Sequence, residues 1–219
     1  MIDLSRDGDV FILRLDHDEN RFSPDMLDAI GTALAEVSNA EGPRALVTVG
    51  TGKFFTNGLD LDWLGDNPDQ IRWYLDQVCA LFARVLTLPC PTAAALNGHA
   101  FGAGAMLSLA HDHRLMRSDR GFWCLPEVAL NMPFPPGMQA LVQGRLPRLT
   151  AHEAMITAHR YGAAEALAKG IVESVHTEDQ VQTAAIDRVR PLAVHAGPNL
   201  AGVRSQLHAD VLDTLQQPN

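Results

Sequence analysis

Residues 92–112, TAAALNGHAFGAGAMLSLAHD, constrain the fold more than any other stretch of the chain. Thr92 to Leu96 suits a short strand buried on both faces, being apolar without alternation. Gly98, Gly102 and Gly104 punctuate the next residues, and the run through Met106 and Leu109 reads as a helix. Strand, glycine turn, helix is the order that points a helix's first unbonded N–H groups at whatever lies above the turn. It is also the repeating unit of α/β proteins.

The flanking runs repeat the alternation. Ile2 to Leu15 predicts two strands around an Asp7-Gly8-Asp9 turn. Ser23-Pro24 predicts a helix start, with Met26, Leu27, Ile30, Leu34 and Val37 on one face. Ala45 to Gly50 reads as a buried strand, and TGKFFTNGLD as a loop. A long amphipathic helix is expected from about Pro68 to Leu88, and a further strand at HRLMRS. Thr150 to Glu153 has capping-box form before another helix, and EALAKGIVESV reads as helix, Gly170 stop, strand. Two helices, marked by Pro191 and Pro198, fill the remainder. The chain of 219 residues, 47% hydrophobic, can bury one sizeable core, so one domain over 1–219 is expected.

Charge and cysteine usage narrow the partners. A net charge of −9 with 17 Lys and Arg offers no basic face for nucleic acid or an anionic membrane. Cys79, Cys90 and Cys124 are odd in number and far apart, which reads as reduced core thiols. The N-terminus lacks a basic segment followed by an apolar one, no membrane-length apolar run occurs, and LQQPN is not a peroxisomal address. The expected location is the cytoplasm.

Several chemistries can be weighed at the glycine turn. Gly102-Ala103-Gly104 runs into Ala105, Met106 and Leu107, which breaks the dinucleotide pattern, and no Gly-Lys-Ser/Thr follows. Ser108 lies inside the helix, away from any G-x-S-x-G elbow. His111 and His113 flank Asp112, yet no third ligand accompanies them, so no metal is assigned. Two loops remain, FFTNGLDL and GHAFGAGA, whose glycines allow positive φ or close approach to a ligand. They either converge their N–H groups on one oxygen or simply turn the chain.

Glu127 is the only charged residue between Gly121 and Arg145. A carboxylate isolated among apolar residues has its pKa raised by desolvation, into the range useful for taking and returning a proton. The other reading is that Pro126-Glu127 opens a helix, with the acid in water near its positive end.

Taken together and in order, RFS, KFFTNGLDL, PTAAALNGHAFGAGAMLSLAHDHRLM, FWCLPEVALNM and AAEALAKGIVESV resemble the crotonase superfamily, the enoyl-CoA hydratase/isomerase fold. The resemblance implies a spiral of ββα turns, with its core over about 1–175 and a helical part over about 176–219. It further implies a homotrimer or dimer of trimers and acyl-CoA thioester substrates, with no cofactor beyond the substrate's own coenzyme A. The family's two backbone donors to the thioester carbonyl map onto Leu59 and Ala103. The resemblance implies that Thr56, Asn57, Gly58 and Asp60 line the pantetheine and acyl entrance, that Gly102 and Met106 also meet the substrate, and that Arg21 lies at the turn that meets coenzyme A.

Hydratases of the family carry two glutamates; here those positions hold Met106 and Glu127. A methionine neither accepts nor donates a proton, so two-acid hydration is not expected. One acid suffices to move a double bond, and the resemblance is greatest to Δ3-Δ2-enoyl-CoA isomerases. Apolar Met106, Trp123, Leu125 and Phe134 are expected to keep water away. Alternatives are a hydratase-like enzyme of other specificity, or a non-catalytic relative that binds acyl-CoA.

Overall fold

The computed structural model describes residues 1–218. Nine strands and ten α-helices follow one another among them. The strands are β1 (Ile2–Asp7), β2 (Val10–Leu15), β3 (Ala45–Gly50), β4 (Phe54–Thr56), β5 (Thr92–Leu96), β6 (His99–Phe101), β7 (His113–Arg117), β8 (Trp123–Cys124) and β9 (Ser174–His176). The helices up to β8 are α1 (Pro24–Asn39), α2 (Leu61–Asp66), α3 (Ile71–Leu86) and α4 (Ala103–Ala110). Beyond it come α5 (Pro136–Arg145), α6 (Arg148–Thr157), α7 (Ala163–Ala168), α8 (Val181–Val189), α9 (Pro198–Leu207) and α10 (Ala209–Leu215).

The strands form two sheets. β1-β2-β3-β5-β7-β9 make the larger, antiparallel at β1–β2 and parallel elsewhere, and β4-β6-β8 make a smaller parallel sheet. From β3 onward each pair of successive strands contributes one strand to each sheet, so the chain climbs in ββα turns. Every residue of β3 and of β5 is buried, as their charge-free, mostly apolar sequences require, with Thr48 and Thr92 the buried hydroxyls among them. One face of the large sheet packs on α8 through Val181, Ala185, Ile186 and Val189; the other meets the main core beneath α1, α3 and α4.

Local signals explain several boundaries. The Ser23 hydroxyl accepts the Met26 N–H, and Met26, Leu27, Ile30, Leu34 and Val37 of α1 are buried, each worth roughly 1.5–3 kcal/mol. The expected loop at 51–60 contains β4, and β6 intervenes before α4; strands of two or three residues carry too little periodicity to be read. The capping box at Thr150 is not formed. Thr150 lies inside α6, which starts after Pro147, and its hydroxyl donates to Lys169 O at 2.8 Å. A tight α6 start after proline needs no side-chain cap there. Three helices, not two, follow β9.

The C-terminal helices are tied back firmly. The buried Arg204 guanidinium donates to the carbonyls of Val85, Leu88 and Cys90 and pairs with Asp112 at 3.1 Å. Helix α10 packs on α5 so closely that a Cβ on Gly137 would lie 2.8 Å from Leu215 Cα. No helix among the described residues is long and apolar enough to cross a membrane.

Candidate active site

The turn between β6 and α4 is held by backbone bonds alone. Gly102 has φ +51° and ψ −122°, donates its N–H to Cys124 O at 3.0 Å, and accepts the Met106 N–H on its carbonyl at 3.0 Å. The carbonyl and N–H of one trans peptide point in opposite directions. With Gly102 O turned into the helix, the Ala103 N–H is turned out of it, and as the first helical N–H it has no acceptor within α4.

The second loop lies directly against this turn. Gly58 sits at φ +85°, and a Cβ there would stand 2.6 Å from Phe101 O and 3.0 Å from Ala103 N. Only glycine permits that approach. The Gly58 carbonyl accepts the Phe22 N–H at 2.8 Å, so by the same planar logic the Leu59 N–H faces away from Phe22. Leu59 N–H donates to no acceptor among the described residues.

Glu127 follows β8 through Leu125 and Pro126. The chain there forms a tight turn closed by Ala129 N–H to Pro126 O at 2.9 Å and Met132 N–H to Glu127 O at 2.9 Å. That turn is not a helix, and the carboxyl is not in water: Glu127 is 9% exposed. Its Oε2 is buried without a hydrogen-bond partner, and Oε1 lies 3.3 Å from where a Gly102 Cβ would stand. Burial raises its pKa to about 7, opposed weakly by a hydrogen bond from its own backbone.

These groups share one cavity of about 370 Å³. Leu59, Gly102, Ala103, Glu127 and Asn57 line its inner part, Leu61, Leu64, Ile71 and Leu75 of α2 and α3 one side, and the segment Leu130 to Met138 the other. Glu127 is the only ionisable residue on the wall. A broader depression of about 750 Å³ over α6 and α7 is larger but open to solvent, and its Lys169 is paired with Glu153 at 2.6 Å.

The remaining expected site residues lie behind or beside this wall. Thr56 is fully buried, with its hydroxyl accepting the Gly58 N–H at 3.0 Å. Asp60 caps α2 by accepting the Trp63 N–H at 3.2 Å. Arg21 belongs to a separate, acidic depression, where Asp62 at 2.5 Å and Glu19 at 2.7 Å already answer its charge. Met106, Trp123 and Leu125 are fully buried off the cavity wall, and of the four expected water-excluding residues only Phe134 lines it. Met106 is wholly buried in α4, whereas Ala103 at the start of the same turn lines the cavity.

The rejected alternatives have structural partners. Ser108 Oγ donates to Ala105 O and accepts the Trp123 Nε1–H. His111 is wholly buried between Leu107 O and the Thr48 hydroxyl, and burial drives its pKa down to about 4. His113 turns instead to Glu173 at 2.8 Å. The sequence pointed to Phe134 but not to the walls supplied by Leu61, Leu64, Ile71 and Leu75, and the proline-rich NMPFPPGM was a visible signal for the wall around Phe134.

Strands dealt alternately to two sheets, with two glycine loops meeting over a cavity that holds one desolvated acid, define the crotonase class of fold. A family model described as enoyl-CoA hydratase/isomerase matches residues 6–218, and the chain belongs to that family. It is 34% identical to the peroxisomal enoyl-CoA delta isomerase 2 of Arabidopsis thaliana, over 98% of this chain and 95% of that protein. To enoyl-CoA delta isomerase 3 of the same plant it is 37% identical, over 80% and 76%. A solved structure of a probable enoyl-CoA hydratase from Mycobacterium tuberculosis superposes with a TM-score of 0.88 at 26% identity, covering 98% of this chain and 91% of that one.

Proposed function

We propose that this protein is a Δ3-Δ2-enoyl-CoA isomerase that works through one acid. The observation that carries the reading is the Glu127 carboxyl, desolvated, with its Oε2 unpartnered and its Oε1 beside the Gly102–Ala103 turn, in an apolar cavity. The ionised carboxylate takes a proton from C2 of a 3-enoyl thioester, electrons shift through the conjugated system onto the thioester oxygen, and the same carboxyl returns the proton to C4. No water is consumed and no cofactor is needed beyond the substrate's coenzyme A. The Leu59 and Ala103 N–H groups hold the dienolate oxygen, and apolar walls strengthen those bonds by keeping the local dielectric low.

A pKa near 7 suits a group that must both accept and release a proton near neutrality. The second acid of a hydratase has no counterpart, since Met106 is inert and closed off from the cavity. Asn57 and Gly102 are assigned to the acyl-thioester wall; Thr56, Gly58 and Asp60 support the loop behind it. Three free, buried cysteines agree with a reducing cytoplasm. A homotrimer or dimer of trimers belongs to the same reading.

The test supplies a 3-enoyl-CoA and follows the 2-enoyl isomer for the wild type and Glu127→Gln. Loss of general acid–base catalysis predicts a fall of about 10²–10⁴-fold in kcat. Equal rates would remove Glu127 from the mechanism, and 3-hydroxyacyl-CoA as the main product would restore the hydratase alternative.

A further inference from the structure

Glu127 and the Ala103 turn are fixed by elements of their own, but the Leu59 N–H sits on a loop and needs an external hold. The Gly58–Leu59 peptide is pinned by Phe22 N–H donating to Gly58 O. The peptide on the other side, Leu59–Asp60, is pinned by a side chain: Tyr74 Oη accepts the Asp60 N–H at 2.8 Å and donates its own proton to Phe22 O at 2.8 Å. The phenol stands between two backbone groups of neighbouring segments and satisfies both.

We propose that Tyr74 is a positioning residue that aims the Leu59 N–H at the substrate's thioester oxygen. This rests on the reading of Leu59 as an oxyanion donor. Two peptide planes flank Leu59, and fixing both leaves its N–H one direction.

Tyr74 is well held for the task. It is fully buried in α3, and its ring lies 5.2 Å from that of Trp63 in α2. Ile71 and Leu75, on either side of it in α3, line the cavity. The helix that lines the cavity therefore also carries the hydroxyl that braces the Leu59 loop. Asp60, whose N–H the hydroxyl receives, caps α2 with its carboxylate, so the loop is braced on both sides.

The test compares the wild type with Tyr74→Phe by three readouts: steady-state isomerisation of a 3-enoyl-CoA, thermal stability, and the infrared carbonyl stretch of bound octanoyl-CoA labelled with ¹³C at C1. Octanoyl-CoA has no double bond to move, so its carbonyl reports polarisation independently of turnover. Removing an oxyanion donor outright costs about 10²–10³-fold in kcat, and misdirecting one is expected to cost about 10- to 30-fold. The expected result is that drop with KM within about twofold, and a carbonyl stretch moved back towards its solution frequency. Glu127→Gln should lose kcat yet keep the wild-type stretch, which separates the acid from the donors.

A drop in kcat with the stretch unmoved would make Tyr74 merely structural and overturn the proposal, as would unchanged kcat. If the wild-type stretch does not shift on binding, the oxyanion reading itself falls and this inference with it. Should Tyr74→Phe fail to fold, 3-fluorotyrosine in a Tyr161→Phe background labels Tyr74 alone, since the chain has two tyrosines. Fluorination weakens the phenol oxygen as an acceptor while keeping its shape, and should produce a smaller change in the same two readouts; no change in either would overturn the assignment.

Discussion

Helix α4 and the turn at Pro126–Asn131 both approach the Gly102–Ala103 turn, and they are built on opposite terms. In α4 every residue is buried and the one long side chain in its first turn, Met106, is inert. In the other segment the long side chain is a carboxylate, nearly as withdrawn from water and left with an oxygen that nothing satisfies. The first arrangement is what stability alone would select. The second is destabilising by itself, and under the proposed function that unsatisfied oxygen is kept for the substrate. The unsatisfied polar atom lies on one side of the site, while the other side is ordinary core.

Exchanging the chemistry of the two places should therefore move stability in opposite directions. The largest effect is expected for Met106→Glu. A charge forced into a fully enclosed helix turn with no partner costs several kcal/mol, about 3–5 here, read as a lower urea midpoint at pH 8. Wild-type stability in Met106→Glu would show that α4 is open enough to hydrate an acid, and would remove the contrast.

Glu127→Gln should do the reverse, more weakly. The folded-state pKa is about 7 against an ordinary 4.5, so between those values the folded protein holds a proton that the unfolded chain has released. Stability contributed by this group is present below pH 4.5 and is lost as pH rises through 7, by about 3 kcal/mol in all. Glu127→Gln lacks that loss. Its urea midpoint should exceed the wild type's at pH 8 and the two should converge towards pH 4.5, even as isomerisation collapses. Parallel stability curves across that range would mean that Glu127 is not desolvated in the free protein.

Legibility in the sequence divides along the same contrast. Glu127 stood out because it is the single charge in a long apolar stretch, and a lone acid announces itself whatever the fold does. The two glycine loops were also visible, since Gly58 and Gly102 occupy backbone conformations that other residues avoid. Met106 was legible as inert but not as enclosed: its sequence neighbours do not reveal what packs over α4. Thr56 and Asp60 read as entrance residues because they flank Leu59, yet the Gly58 N–H holds Thr56 in the core and the Trp63 N–H holds Asp60 at the neighbouring depression that contains Arg21. Tyr74 was invisible. At helical spacing among Ile71, Leu75 and Val78 an aromatic residue reads as core, and the hydroxyl's partners lie 14 and 52 residues away.

Gly102 joins the two regions and should give the smallest effect. Its φ of +51° with ψ of −122° is open to glycine and strained for any L side chain, so Gly102→Ala is expected to cost about 1–2 kcal/mol in stability. The new methyl would lie 3.3 Å from Glu127 Oε1, tighter than carbon and oxygen usually sit, and the carboxylate must give by a few tenths of an ångström. That displacement moves the carboxyl to which the proposed function gives the proton transfer, while leaving its identity intact. The expected outcome is a kcat lowered severalfold with the midpoint of its pH profile raised, because the methyl further desolvates the carboxylate. A pH profile identical to the wild type's, at equal kcat, would place the working position of Glu127 away from Gly102 and break the link between the turn and the acid.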